Sequence, residues 1–308
     1  MRYLGRRYFL APGCCLALIL LTLAPVSASL ALEGKLVSAG SDTLGGLSSL
    51  WAERLRERYP GILVQVRAIG SGAAPTALVQ GAADVGPMSR PMAPSEQERF
   101  FRRFGYAPTA VPVAYDRIAV VVHRSNPVDT LTLRQLDAMF STTRRCGNGR
   151  LLRDWSEVLD ARSSWSEGPI SLYGRSAASG TYSVFREQVL CGGDFAPRLN
   201  RLVGSSAIVR AVARDRSGIG YASGGSLNVT VKAVTIVGED GQRSIPLSRA
   251  LYLYLNRPPG SPLNPLVAAY IDLALSADGQ GAVARAGYTP LPEAERRALR
   301  RDLGLADD

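Results

Sequence analysis

Histidine is nearly absent from this sequence of 308 residues, which contains only His123. A single histidine excludes a histidine-rich metal site and any mechanism that needs two imidazoles. A Ser-His-Asp triad would have to use His123, and no Gly-x-Ser-x-Gly elbow is present to hold the serine. His123 ends an apolar run, where a lone histidine is more often a surface residue than a catalytic base. The sequence therefore argues against an enzyme.

Long apolar segments are also missing beyond the N-terminus. Three arginines among the first seven residues precede an apolar run over residues 16–23, and the small-residue pattern Val26-Ser27-Ala28 follows. This order is typical of a cleaved secretory signal peptide. A membrane anchor is the alternative, but the run is shorter than the ~20 residues that cross a bilayer. We expect residues 1–31 to be removed, leaving an exported protein whose net charge falls from +10 to +7.

Cysteine is scarce, and two of the four cysteines fall within the signal peptide. The remaining pair is Cys146 and Cys191, both in glycine-containing, turn-like settings. An even pair in an oxidising compartment predicts one disulfide bond. Two free thiols or a metal-binding pair are the alternatives, and the absence of a Cys-x-x-Cys spacing disfavours the metal. We expect neither a metal nor a cofactor.

Lysine is almost lacking too, because arginine supplies all but two of the 36 basic residues. The arginines are interleaved with acidic residues, as in residues 53–58, which is typical of a solvated helix face. Export argues against a nucleic-acid partner, whereas a positive surface would attract small anions.

Short β-branched runs alternate with segments of helical period, which predicts an α/β fold. Among the predicted helices, residues 45–58 have their apolar side chains at helical spacing. Residues 95–104 are predicted to form a helix that begins at a Ser95 cap. Residues 264–276 form another predicted helix, and the next one begins at residue 293. Residues 109–123 form one long strand pattern. Neither an internal repeat nor a low-complexity linker is present, so a chain with two domains would cross between them more than once.

Three small-residue loops follow predicted strands and open helices. Glycines in such loops allow close backbone approach, hydroxyls and helix N-terminal N–H groups donate hydrogen bonds, and the third loop adds the planar cation of Arg175. One such loop is usually only a helix cap, but three in an exported protein favour an anion site at the carboxyl ends of strands. The loops are Gly40–Gly46, Gly70–Ala74 and Gly174–Thr181.

The order and spacing of these motifs resemble the phosphate-binding periplasmic proteins of ABC transporters, the PstS family. The resemblance covers nearly all of the mature chain, and the Arg-x-x-x-Ser-Gly-Thr segment is its most specific part. It is carried by Gly40-Ser41-Asp42-Thr43, Gly70-Ser71-Gly72, Asp84-Val85-Gly86-Pro87-Met88-Ser89, Arg175 with Ser179-Gly180-Thr181, and Gly218-Ile219-Gly220-Tyr221.

The resemblance implies a two-lobed class II periplasmic binding fold, with mixed sheets flanked by helices and hinge strands between the lobes. It implies lobe I over residues 32–114 with 250–308 and lobe II over residues 115–249. Such a protein acts as a periplasmic monomer that closes on inorganic phosphate and delivers it to an inner-membrane ABC permease. By motif match, the ligand-binding residues are Thr43, the Leu44 N–H, Ser71, Ser89, Arg175, Ser179, Gly180 and Thr181.

The sequence departs from the family at two acidic positions. Ser89 is followed by Arg90, where relatives commonly carry an aspartate that accepts the proton of phosphate and rejects sulfate. Asp42 is our candidate substitute, although it could instead cap a helix. Arg90 could contact the anion or form an ion pair with an acid. Ala177 replaces the acid that orients the site arginine, so Arg175 needs another partner.

These departures leave other functions open. The chain could bind a different oxyanion, such as sulfate or an organophosphate, or serve phosphate sensing or adhesion on the same fold. An exported phosphatase is a further alternative, which the lack of metal ligands disfavours. Asp84 and Asp116 could form a carboxylate pair, but each could equally pair with an arginine.

Overall fold

The structure is a computed structural model that describes residues 32–147, 149–159 and 168–305. The predicted signal peptide, residues 1–31, lies outside the described residues. Within these ranges the chain forms ten β-strands and nine α-helices. No helix in this part of the chain combines the length and the apolar character needed to cross a membrane.

The strands join into one mixed sheet in the order β2-β1-β3-β10-β4-β8-β6-β7, with β9 pairing β4 and β5 pairing β9. The pairs β1–β2, β1–β3, β6–β7 and β6–β8 are parallel, whereas β10 and β4 run antiparallel to their neighbours. The strands are β1 (Gly34–Gly40), β2 (Ile62–Ala68), β3 (Val85–Met88), β4 (Thr109–His123), β5 (Thr130–Thr132), β6 (Ser171–Arg175), β7 (Asn200–Leu202), β8 (Gly218–Ser223), β9 (Val231–Val237) and β10 (Leu247–Leu255).

The helices follow the apolar periodicity of the sequence in most places. In the first of them, Leu47, Trp51 and Leu55 lie on one buried face, as their spacing predicts. The helices are α1 (Gly45–Arg58), α2 (Ala73–Val79), α3 (Pro94–Phe104), α4 (Leu133–Phe140), α5 (Gly180–Val189), α6 (Ser205–Arg214), α7 (Pro265–Leu275), α8 (Ala277–Arg285) and α9 (Glu293–Leu303).

Two details differ from the sequence-based predictions. Helix α3 begins at Pro94 with Ala93 as its N-cap, so Ser95 is not the cap. Glu96 takes the capping role because its carboxylate accepts the Ala93 N–H at 2.8 Å. The predicted helix 264–276 is followed directly by a second helix, α8, whose glycines made it a weak helix signal.

Two hydrophobic cores dominate the interior, and two long strands contribute to both. The first core packs β1, α1 and α7–α9 against the sheet, and the second packs α4 and α5 against β6 and β8. In β4, Val111 and Val113 belong to the first core, whereas Val120 and Val122 belong to the second. Strand β10 pairs with β4 along this passage, from Leu247 opposite Ile118 to Leu255 opposite Thr109. This is the predicted α/β architecture, with paired strands running between two packed regions.

The predicted disulfide is confirmed. Cys146 and Cys191 are bonded, with their Cα atoms 5.2 Å apart and a sequence separation of 45. The bond joins the turn after α4 to the turn after α5, on the side of the second core. The alternatives of free thiols or a metal-binding pair are therefore wrong.

Candidate anion-binding site

The three small-residue loops meet at one place in the structure, as the sequence predicts. Each connects a strand to the N-terminus of a helix: β1 to α1, β2 to α2, and β6 to α5. The hydroxyls of Thr43 and Thr181 lie 3.2 Å apart, and the Gly72 N–H donates to the Ala178 carbonyl at 3.0 Å. Three helix N-termini, each with a positive dipole end, therefore converge with their hydroxyl side chains.

Arg175 lies at the end of β6 with 1% of its surface exposed. Its guanidinium donates to Ser205 Oγ at 3.2 Å and to the Asp42 carboxylate, which it meets as an ion pair. Burial lowers the pKa of Arg175, and the Asp42 charge opposes that shift. An arginine side chain remains protonated in proteins, so the site contains a fixed, desolvated cation.

Asp42 is the partner that orients Arg175, which answers the loss of an acid at Ala177. It does not cap α1, whose N-cap is Leu44 without a side-chain capping bond. One carboxylate oxygen, Oδ2, accepts from Arg175, whereas Oδ1 is buried and has no hydrogen-bond partner among the residues that the structure describes. A buried acceptor without a donor is costly. The site therefore presents one unsatisfied acceptor beside its cation.

The serine side chains of the site are arranged to donate. Ser71 Oγ accepts the Ser89 N–H at 3.0 Å and lies 3.1 Å from Ser89 Oγ, and both residues are fully buried. Ser179 caps α5 by accepting the Thr181 N–H at 3.2 Å. A hydroxyl that accepts from a backbone N–H keeps its own proton for another acceptor. Ser71 and Ser179 can therefore donate hydrogen bonds without adding charge.

Gly180 allows the closest approach between the loops. A Cβ atom at this position would lie 2.6 Å from Ser71 Oγ, and closer still to Ser89 Oγ. The first turn of α5 can therefore approach Ser89, which follows β3, and Ser71 of the second loop only because residue 180 has no side chain. The N–H of Leu44, which is also buried, lies 3.4 Å from Ser41 Oγ at the start of α1.

A second buried arginine, Arg249, reaches the same place from β10. Its guanidinium donates to Thr181 Oγ1 at 2.9 Å and to the Ser89 carbonyl at 3.0 Å. It also forms an ion pair with Asp116 on β4, with contacts of 2.7 and 3.0 Å. Asp116 is thus the partner of an arginine and does not pair with Asp84, whose carboxylate accepts the Val37 N–H.

Comparison with known proteins agrees with this geometry. The pattern of the PBP superfamily domain matches residues 25–278. The phosphate-binding protein PstS of Pseudomonas aeruginosa is 42% identical over 285 residues, which cover 89% of this chain and 88% of that protein. This chain belongs to the PBP superfamily and, within it, to the PstS family.

Solved structures of PstS-like proteins have the same fold. A putative phosphate ABC transporter substrate-binding protein from Clostridium perfringens, solved with bound phosphate, matches with a TM-score of 0.70 and 25% identity, covering 84% of this chain and all of that one. An ABC-type phosphate transport receptor from Vibrio cholerae matches with a TM-score of 0.63 and 22% identity, over 84% of this chain and all of that one. The expected class II periplasmic binding architecture is confirmed.

Arg90, which stands where the PstS pattern commonly has aspartate, is held away from the three loops. Its guanidinium makes two contacts of 2.7 Å with the Glu96 carboxylate and donates to the Pro91 carbonyl at 2.9 Å. The structure thus shows the ion pair that the sequence offered as one alternative for Arg90. Glu96 itself has a lowered pKa: burial would raise it, but the Arg90 hydrogen bonds and the Ala93 N–H outweigh burial.

Sequence reasoning did not identify Arg249 as a neighbour of the three loops. The available signal was a charged residue inside an apolar strand pattern, since Arg249 and Asp116 each interrupt a long β-branched or aromatic run. The strand register places the two residues opposite each other. Without that register, neither position could be distinguished from a solvent-facing position on an edge strand.

Proposed function

We propose that this PstS-family chain captures inorganic phosphate in the cleft between two lobes and delivers it to an ABC permease. The observation that carries the proposal is the mixture of groups in the buried site. Hydroxyl, N–H and guanidinium donors come together with one unpartnered acceptor, Asp42 Oδ1. Hydrogen phosphate offers oxygens to the donors and a proton to the acceptor, whereas sulfate has no proton to offer. The set of groups thus fits phosphate better than sulfate.

The proposed contacts follow from the geometry. Thr43, Ser71, Ser179 and Thr181 supply hydroxyls, Arg175 supplies a guanidinium, and Gly180 and Leu44 supply backbone N–H groups. Asp42 accepts the proton of the anion through Oδ1 while it orients Arg175 through Oδ2. Ser89 positions Ser71 through a hydrogen bond to its hydroxyl, and Arg90 remains paired with Glu96. This list of eight contacting residues is Asp42, Thr43, Leu44, Ser71, Arg175, Ser179, Gly180 and Thr181.

The cleft lies between two lobes that close by hinge motion about β4 and β10. Lobe I comprises residues 32–114 with 250–308 around the first core, and lobe II comprises residues 115–249 around the second. The two strands are the natural hinge because each contributes apolar residues to both cores. Thr43 and Ser71 then approach from lobe I, and Arg175 and Thr181 from lobe II, so closure assembles the site.

Export and transport complete the proposal. Residues 1–31 are removed as a signal peptide, and the mature protein acts as a periplasmic monomer. Its similarity to the phosphate ABC transporter substrate-binding protein of Clostridium perfringens supports an ABC permease as its partner. No covalent step is part of this function, and pure protein should therefore not turn over a phosphomonoester.

Calorimetric titration of the mature, anion-stripped protein with phosphate tests the function directly. We expect micromolar or tighter binding that persists in excess sulfate, because Asp42 repels an anion that cannot donate to it. Binding that sulfate abolishes would favour a receptor for another oxyanion. If the protein binds phosphate but no permease partner is encoded for it, sensing or adhesion on the same fold would be favoured.

A further inference from the structure

We propose that Arg249 is a second cation that determines anion affinity in this cleft, and that Asp116 is the residue that positions it. The proposal rests on the proposed function, since it adds a group to the same anion site. Arg249 and Asp116 are 7% and 2% exposed, so both charges are desolvated. A buried ion pair stabilises a fold weakly at best, because desolvation offsets the attraction. Its presence here therefore calls for a reason other than stability.

The position of the pair connects it to the anion loops. Arg249 and Asp116 face each other in the register of β10 and β4, where the two strands pass between the cores. Asp116 is itself fixed by the Ser223 hydroxyl at 3.0 Å and the Gly224 N–H at 3.1 Å, at the end of β8. The carboxylate thus holds the guanidinium in one orientation from the second core. A rigid donor next to a ligand site adds affinity because little is left to order on binding.

Arg249 affects the loop hydroxyls through the hydrogen bonds that it donates. A guanidinium can only donate, so Thr181 Oγ1 must accept from Arg249 at 2.9 Å. Thr43 Oγ1 lies 3.5 Å from the same Arg249 nitrogen and 3.2 Å from Thr181 Oγ1. Thr181 thus uses one of its two lone pairs on Arg249 and keeps its proton, which Thr43 Oγ1 can accept in this structure and an anion oxygen can accept in the complex. Without Arg249, the two hydroxyls could satisfy each other and turn away from the ligand.

The charges of the cleft form two matched pairs. Asp42 balances Arg175, and Asp116 balances Arg249. The two guanidiniums also act on each other: after burial and the opposing effect of Asp42, repulsion by Arg249 contributes to the lowered pKa of Arg175. An oxyanion bound against Thr43 and Thr181 is therefore placed near two positive charges. This arrangement suits a doubly charged tetrahedral anion better than a single cation would.

The competing explanation is that the pair only fills the junction between the cores. The double variant Arg249→Gln with Asp116→Asn distinguishes the two, because it removes both charges together and leaves no unpaired buried ion. The matched control is Arg300→Gln with Asp272→Asn, a second Arg–Asp pair with a 2.8 Å contact that joins α9 to α7. A third variant, Arg249→Lys, keeps the charge but lacks the planar fork that reaches Thr181 and Ser89 together.

Calorimetry with phosphate and thermal unfolding of the anion-free protein are measured for every variant. We expect the double variant to lose about ten- to a hundredfold in affinity, the cost of charge-assisted hydrogen bonds. Arg249→Lys should lose about three- to tenfold, because the charge rescues part of the effect. The control pair should remain within about twofold of the unchanged protein.

Three results would overturn the proposal. The first is a folded double variant that binds phosphate within about twofold of the unchanged protein. The second is an Arg249→Lys variant that binds phosphate as weakly as the double variant, because the positive charge at residue 249 is then not the cause of the affinity. The third is an Arg249→Lys variant with unchanged affinity. If the double variant does not fold, Arg249→Lys decides alone: lost affinity at an unchanged melting temperature supports the proposal, and unchanged affinity rejects it.

Failure of the proposed function gives a different pattern. If the unchanged protein binds sulfate but not phosphate, phosphate capture is wrong, and the same variants titrated with sulfate still test Arg249. If it binds neither anion, both proposals are wrong. If it binds phosphate and the variants bind equally well, only the role of Arg249 is wrong.

Discussion

Gly180→Ala offers a sharp test of how the cleft closes. Gly180 is the first residue of α5, and its backbone has ordinary helical geometry, so alanine itself introduces no backbone strain there. The added Cβ would lie 2.6 Å from Ser71 Oγ and 3.1 Å from the carbonyl carbon of Ser89. Gly46→Ala is the matched control, because Gly46 lies in the first turn of α1 and a Cβ there meets nothing within 4 Å.

The size of the effect follows from the packing. An extra methyl group in a close-packed region costs about 1–3 kcal/mol. Each factor of ten in affinity corresponds to about 1.4 kcal/mol, so this cost should lower phosphate affinity about 5- to 150-fold. In the proposed division into lobes, the clash joins a helix of lobe II to residues of lobe I, so we expect it to act only when the cleft is closed. The open, anion-free protein should keep its melting temperature or gain slightly, because alanine favours a helix over glycine.

Calorimetric titration gives the affinity, and scanning calorimetry of the anion-free protein gives the melting temperature. We expect lost affinity at an unchanged melting temperature for Gly180→Ala, and no change in either for Gly46→Ala. Unchanged affinity in Gly180→Ala would refute the close contact between α5 and the loops of lobe I. If Gly180→Ala instead lowered the melting temperature of the anion-free protein and left phosphate affinity unchanged, the clash would also be present without the anion. That result would mean that the cleft does not open.

Three further predictions concern the charges and the disulfide. Asp42→Asn should weaken phosphate binding and let excess sulfate displace it, as measured by competition calorimetry; retained selectivity would remove Asp42 as the proton acceptor. Replacing both Cys146 and Cys191 by serine should lower the free energy of unfolding by about 4 kcal/mol, the loop-entropy estimate for a 45-residue separation, as measured by denaturant titration under oxidising conditions. The Glu96 pKa is lowered beside Arg90, so its stabilisation is complete above the unfolded pKa of about 4.3 and is lost as pH falls through the folded pKa. The difference in unfolding free energy between the unchanged protein and Glu96→Gln should therefore be present at neutral pH and disappear in acid; a constant difference would contradict the pairing.

Local patterns were sufficient wherever the cause of structure is local. Apolar spacing predicted α1 with its observed bounds, and the loop after β6 was recognisable by its glycine and hydroxyl residues. Local reasoning was wrong at Ser95, because Pro94 is compatible with the first helical position and moves the start of α3 forward. It also missed α8. A Cβ at Gly279 would lie 2.9 Å from the carbonyl carbon of Leu273, so packing rather than helix propensity explains that glycine.

The sequence by itself determined the α/β class, the disulfide pair and the three small-residue loops, because each depends on residues close together in the chain or on a pair without competitors. The tertiary structure alone decided which charges meet. Asp42 and Arg175 are 133 residues apart, as are Asp116 and Arg249. Arginine is by far the commonest cation in the chain, so composition cannot choose among candidates. The register of β4 with β10 and the packing of the loops select these two arginines, because among the described residues they are the arginines desolvated beside both a carboxylate and the loop hydroxyls.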